Sequence, residues 1–285
     1  MNTVKPQKRS VTRSLLQRIA AAPYMFWAVL FIIIPLVFVA YYAFTDKSFA
    51  FSLDNIEAVF TKKYLTILWR SVKLALIATL VCLLIGYPAA YFISRTSPKK
   101  QKILIMLIML PMWMNFLIRT YAWMVLLQDT GVINNFLESI GIGRMKLMYT
   151  ETAVVIGMVY DYLPYMILPI YSIMTKLDYR LVEAASDLGC NPFAVLRKVV
   201  IPQSIPGVVS GVMMVFVPSI STFYISKKLG GGNFYLIGDA IETQFNSNNL
   251  HMAAAISFVL MIILLLGMFI MDRFSDSSEG GGLIP

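Results

Sequence analysis

Two charged residues stand inside apolar stretches of this 285-residue chain, and they are the natural starting point for its chemistry. Asp161 lies in YDYLPYMILP between Tyr160 and Tyr162, and Arg119 lies in LIRTYAW. A carboxylate flanked by aromatic rings can hold an ammonium group, through charge and through attraction of the cation to the ring faces. Asp161 is therefore a candidate acceptor for a cationic solute.

Arg119 and Asp161 are predicted to lie at the same depth. Arg119 precedes the end of its apolar stretch near Asp129 by ten residues, and Asp161 follows Glu151 by ten. At 1.5 Å per residue, each lies roughly 15 Å from the same edge. Three interpretations stay open: an ion pair that only locks two helices, an Asp161 that faces a solute pathway, or an Arg119 that reaches the aqueous boundary while Asp161 lies near a rim.

Other aromatic side chains are candidates for the same pathway. Such rings bind alkylammonium groups, but they also form belts at membrane interfaces, so both interpretations stand. The candidate pathway set is Asp161, Arg119, Trp113, Tyr160, Tyr162, Tyr165, Phe223 and Tyr224.

The composition indicates the kind of element that carries these residues. Of the chain, 58% is hydrophobic and 14% charged, whereas soluble domains carry about 25% charged residues. We predict an all-α polytopic membrane protein with six transmembrane helices in residues 24–274. The predicted spans are Tyr24–Phe44, Ile67–Ile93, Ile103–Leu127, Thr152–Thr175, Ile205–Ile225 and Met252–Met271. Residues 1–23 form a basic tail, and the Ser/Gly-rich residues 275–285 are predicted to be disordered; whether EGGGLIP is native stays open.

The basic residues predict an orientation. Alternate connecting segments carry fourteen Lys and Arg residues against seven on the other side, and the richer side is cytoplasmic. Both termini and the loop between spans four and five are then predicted to be inside the cell. The net charge of +9 reflects this pattern beside membrane lipid, so we expect no nucleic-acid partner.

The sequence does not predict an enzyme or a metal site. Cys82, Cys190 and His251 have no metal-ligand spacing, and neither a nucleotide-binding motif nor a catalytic Ser/His/Asp or Cys/His arrangement occurs. We expect no cofactor in this chain.

The predicted cytoplasmic loop, residues 176–204, contains EAASDLGCNPFAVLRKVVIP. Its first half favours a short helix that Gly189 ends, and Asn191 with Pro192 favours the start of a second. Phe193, Leu196 and Val200 share one face at helical spacing. We predict a helix–turn–helix along the membrane surface that contacts a partner protein; the periodicity alone also permits an inert interfacial helix.

This loop resembles the EAA loop of ABC importer permeases, EAA-x3-G-x9-I-x-L-P, with Val199 and Ile201 as conservative replacements. Further segments, among them LIRTYAW, TGVINNFLESIG and VIPQSIPGVVSG, are similar to permeases of spermidine/putrescine importers. The resemblance implies a type I ABC importer permease fold in the bacterial plasma membrane. It also implies a second permease, two copies of a cytoplasmic ATPase that binds ATP and Mg, and an extracytoplasmic polyamine-binding protein. The residues that it assigns to ATPase coupling are Glu183, Ala184, Ala185, Asp187, Gly189, Arg197 and Pro202.

Several functions remain as alternatives. The EAA pattern is blind to the solute, so the same role for thiamine, ferric iron or an amino-acid-like compound stays open. A membrane receptor or assembly factor would use the loop as a signalling contact, and a proton-coupled transporter would need no ATPase. Prolines within the spans fit either fixed kinks or a bundle that opens and closes.

Overall fold

The computed structural model describes residues 23–279, with side chains except at positions 179, 272 and 274–279. The predicted tail 1–23 therefore lies outside the described residues except for Pro23, as do residues 280–285. Apart from an isolated antiparallel bridge between Thr45 and Phe51, the described residues contain no strand, so the all-α prediction is confirmed. The helices are α1 Pro23–Ala43, α2 Asp54–Val59, α3 Lys62–Ser94, α4 Pro98–Trp113, α5 Phe116–Leu127, α6 Val132–Ser139, α7 Glu151–Met174, α8 Tyr179–Asp187, α9 Pro192–Ser221, α10 Tyr224–Leu229, α11 Ile237–Asn246 and α12 Leu250–Glu279.

Five of these helices are long and apolar enough to cross a membrane: α1, α3, α7, α9 and α12. The helices α4 and α5 pass the same test only as a bent pair, which makes a sixth, broken span when the two are counted as one. The prediction of one continuous helix over Ile103–Leu127 is therefore wrong. Met114 is extended with ψ 148°, and the side chain of Asn115 accepts the Leu117 N–H at 2.8 Å, so that a new helix begins with the chain bent by 90°.

Helices α3, α7 and α9 pack against one another and form the centre of the bundle. Close approach requires glycine here: a Cβ on Gly211 of α9 would lie 2.8 Å from the sulfur of Met166 on α7. Helix α12 packs on α1 and α11 at one side of this centre. The side chains of α1, by contrast, are nearly all exposed and apolar, as expected for a surface that faces lipid or another subunit.

Helix α12 continues beyond the apolar stretch to Glu279. Residues 275–279 are therefore helical, and their prediction as disordered is wrong. Once a long helix exists, each further residue adds one backbone hydrogen bond without the cost of nucleation, so polar residues can extend it.

A buried carboxylate ties α11 to its neighbours. Asp239 is 5% exposed, and its two oxygens accept the Leu236 N–H and the Ser226 hydroxyl, each at 2.8 Å. The Ser71 hydroxyl of α3 accepts the Ile237 N–H at 2.7 Å. Burial raises the pKa of Asp239 from 3.8 to about 6.

This carboxylate should make stability depend on pH. Because the folded state holds the proton more tightly, its stability should fall as pH rises from about 4 to 6, by on the order of 2 kcal/mol at 1.4 kcal/mol per pKa unit. Asp239→Asn should remove that slope when Tm is measured across this range. The control is Asp46→Asn. Hydrogen bonds from Ser48 and Ala50 lower the pKa of exposed Asp46, so the contribution of this residue to stability changes with pH in the opposite direction. An unchanged profile in Asp239→Asn would contradict the assignment.

Candidate coupling loop and intramembrane ion pair

The loop between α7 and α9 is built by its caps. The Asp178 side chain accepts the Arg180 N–H at 3.0 Å and starts α8. At its end, Gly189 N–H bonds to Ser186 O at 2.9 Å and Cys190 N–H to Ala185 O at 3.1 Å. With Gly189 at φ +79°, these bonds form a Schellman motif, which confirms the predicted turn.

The second half of the loop differs from the prediction. The Asn191 side chain accepts the Ala194 N–H at 2.7 Å, as expected, but the helix that begins at Pro192 runs on without a break to Ser221. It is therefore the start of a span and not a separate surface helix. A π-helical turn at Leu196–Val200 adds a residue to the helical turn. Phe193 is consequently 71% exposed while Val200 is buried, and the predicted common face does not form.

The tip of the loop presents apolar side chains to the surroundings. Leu188 is 86% exposed and Phe193 71%, on either side of the Gly189 turn. The family pattern does not include these two among the coupling residues. The expected coupling residues are exposed, except the half-buried Ala185. The exposed ones are Glu183, Ala184, Asp187, Gly189, Arg197 and Pro202.

The second candidate site is the ion pair within the bundle. Arg119 of α5 and Asp161 of α7 meet with 2.9 Å between Nη1 and Oδ1, and their side chains are 10% and 5% exposed. The matching depths predicted from the sequence thus correspond to a real contact. Its hydrogen-bond geometry is poor: Asp161 Oδ1 and Arg119 Nε are buried, and neither has an aligned partner among the described residues.

The candidate aromatic residues do not form one cage around this pair. Tyr160 packs edge-on against Trp123, with ring centroids 5.4 Å apart, and Tyr224 lies 5.5 Å from Phe116. Tyr162 directs its hydroxyl to the Pro218 carbonyl of α9 at 3.4 Å. The remaining three, Trp113, Tyr165 and Phe223, are exposed.

Three aromatic rings near the pair contact the protein's own cations. The Arg119 guanidinium lies 5.9 Å from the Phe116 ring, and Lys228 lies 5.2 Å and 5.9 Å from the Tyr121 and Tyr224 rings. The structure thus provides a buried ion pair with separate aromatic contacts.

Comparison with known proteins identifies the bundle. Residues 82–278 match the family model described as binding-protein-dependent transport system inner membrane component. The chain belongs to that family.

Relatives within the family cover almost the whole chain. It is 37% identical to the spermidine/putrescine transport system permease protein PotB of Haemophilus influenzae, over 90% of this chain and 93% of that protein. It is also 37% identical to PotB of Escherichia coli K12, over 87% of this chain and 94% of that protein. A crystal structure of a bacterial ABC transporter that imports alginate matches with a TM-score of 0.73, covering 94% of this chain and 97% of that one. At 15% identity this likeness shows the fold, which is that of a type I ABC importer permease.

The turn of this permease can be tested at Gly189. A Cβ at this position would meet nothing within 4 Å, so a substitution acts through the left-handed backbone and not through a clash. We expect Gly189→Val to distort the turn, at about 1–3 kcal/mol of strain, and to lower solute uptake at least tenfold in reconstituted vesicles.

Gly143→Val is the matched control, since Gly143 has φ +86° and equal free space in a different loop. The control should carry the same backbone strain without the loss of uptake. Equal uptake in both variants would contradict a special role for the Gly189 turn.

Proposed function

We propose that this chain is one permease subunit of an ATP-driven importer and forms half of the translocation path for polyamines such as spermidine and putrescine. The observation that carries the proposal is the 37% identity to spermidine/putrescine permeases across nine-tenths of this chain and of the relative. Identity at this level over the full span makes a shared role the simplest explanation. The solved alginate importer supports the fold only, and so says nothing about this solute.

The loop tip supports the coupling part of the proposal. Leu188 and Phe193 are large apolar side chains that are exposed in this chain alone. In a loop that faces water, such side chains are buried when another protein binds there. We assign them, with Glu183 and the Gly189 turn, to a cleft of a cytoplasmic ATPase that binds ATP and Mg. Exposed Arg180, Arg197 and Lys198 place positive charge beside the tip, in accord with a cytoplasmic position.

The proposed assembly contains this chain, a second permease, two ATPase copies and an extracytoplasmic polyamine-binding protein in the bacterial inner membrane. Both termini of this chain are cytoplasmic in the proposed topology. Closure of the ATPases on ATP would move the α8 end of the loop and, through the continuous helix α9, the centre of the bundle. The unbroken helix from Pro192 to Ser221 supports such direct transmission.

The test is transport by the complete complex in vesicles. We expect ATP-dependent uptake of labelled spermidine or putrescine, together with ATPase activity stimulated by the polyamine-loaded binding protein. Thiamine and ferric iron serve as competing solutes. Uptake of one of these without polyamine uptake would refute the proposed solute while leaving the permease role intact.

A further inference from the structure

Three polar side chains on one face of helix α7 differ in their exposure. Asp161, Tyr165 and Ser172 follow each other at spacings of four and seven, so they share a helical face. Tyr165 is 39% exposed and Ser172 is exposed, whereas Asp161 is 5% exposed. A neighbouring element must therefore shield Asp161 but not Tyr165 or Ser172.

Helix α5 supplies the charged part of this cover. Arg119 reaches Asp161 at 2.9 Å, and Trp123 packs on Tyr160 one turn of α5 further along. Helix α5 is also the second half of the broken span, joined to α4 only through the extended residues Met114 and Asn115. It can therefore change its angle at this joint without breaking hydrogen bonds inside either helix.

The covering ion pair is incompletely satisfied. Arg119 Nε is buried without an aligned partner among the described residues, and the contact with Asp161 Oδ1 is close but misaligned. A buried ion pair repays its desolvation only when the geometry is good and the remaining donors are satisfied. This pair is thus easier to exchange than an ideal bidentate one.

The open half of the face offers further acceptors. Pro169 lies inside α7 and has no N–H, so the carbonyl of exposed Tyr165 lacks its usual partner four residues on. Together with the Ser172 hydroxyl, this provides neutral oxygens that can accept ammonium N–H groups beyond Asp161.

From these observations we propose that Asp161 is a solute site for an alkylammonium group, occupied by Arg119 in this conformation and handed to the solute when α5 swings away. The Asp161 carboxylate then pairs with Arg119 before the exchange and with the solute ammonium after it, so the carboxylate is never buried without a cation. In the proposed topology a solute entering from outside meets Asp161 first and the acceptors of Tyr165 and Ser172 next. The inference rests on the proposed function, because it takes the solute to be a polyamine.

The deciding variant is the charge swap Arg119→Asp with Asp161→Arg in the complete complex. It keeps an ion pair between α5 and α7 but moves the acceptor off the open face. We expect the swapped complex to assemble with its ATPase and to take up spermidine at least tenfold more slowly. Uptake at the wild-type rate would overturn the proposal, since a pair that only locks two helices works in either direction.

A second variant decides the matter should the swap fail to assemble. Arg119→Met with Asp161→Asn removes both charges and leaves no lone buried ion. The rate of spermidine uptake, measured with the loaded binding protein at saturation, should fall about tenfold or more, the equivalent of one charge-assisted hydrogen bond. A wild-type value would overturn the proposal.

Two controls separate the possible failures. Glu151→Gln neutralises another carboxylate of α7, paired with Arg70 at 3.3 Å and Lys73 at 3.0 Å but partly exposed, and should leave uptake unchanged. The wild-type complex is measured first. If the wild-type complex takes up no polyamine, the proposed function fails before any variant is compared. If the wild type and the charge-swap variant both take up polyamine normally, only the proposed site at Asp161 is refuted.

Discussion

Replacing Asp161 with asparagine is expected to lower the free energy of unfolding by about 3–5 kcal/mol. The change leaves the Arg119 guanidinium, 90% buried, without its only charged partner among the described residues, and a guanidinium cannot escape by losing its proton. Thermal unfolding of the purified complex, followed by the loss of assembled permease, measures the effect. The double variant Arg119→Met with Asp161→Asn should recover most of the loss, because it removes the lone charge as well.

The matched control for these variants is an exposed ion pair with nearly the same distance. Arg144 and Glu138 lie 3.0 Å apart, with side chains 50% and 55% exposed. Glu138→Gln should cost less than about 1 kcal/mol, as is usual for surface ion pairs. If Asp161→Asn were no more harmful than Glu138→Gln, the buried pair would contribute little to stability.

Replacing Phe193 with aspartate is expected to detach the ATPase while the permease stays folded. The ring is 71% exposed, so its loss removes little internal packing, yet it stands at the centre of the proposed contact beside Leu188. Loss of a central aromatic residue from an interface costs about 2–4 kcal/mol, which weakens binding roughly 30- to 1000-fold. Co-purification of the ATPase with the tagged permease is the measurement.

The control for this prediction is Phe136→Asp. Phe136 lies on α6 in a different loop and is 62% exposed, so the substitution is chemically the same. It should leave ATPase co-purification intact. Equal retention of the ATPase by the Phe193 and Phe136 variants would show that the loop tip is not the contact.

Much of the fold was predictable because the bilayer imposes simple rules. The spans α1, α3, α7 and α12 lie where apolar length placed them, since a helix must satisfy its own backbone hydrogen bonds in lipid. The turn at Gly189 and the cap at Asn191 were also predictable, because both depend on the residue itself and its immediate neighbours. Local hydrogen bonding thus explains why the end of one helix at Gly189 and the start of the next at Asn191 could be predicted from the sequence.

Other features depended on contacts that no local pattern encodes. An apolar stretch with Pro111 is compatible with a kinked or a broken span, and the extended Met114 and the Asn115 cap make it broken. Likewise, Pro192 can start a short helix or a long one, and the structure joins it to α9.

By itself, therefore, the sequence determined the membrane class, most of the spans and the loop that marks the family. Tertiary structure decided that Arg119 covers Asp161 while Tyr165 and Ser172 on the same face stay open. The reason is physical. Membrane insertion follows from apolar composition and capping from neighbouring residues, whereas an ion pair between residues 42 positions apart exists only where packing brings two helices together.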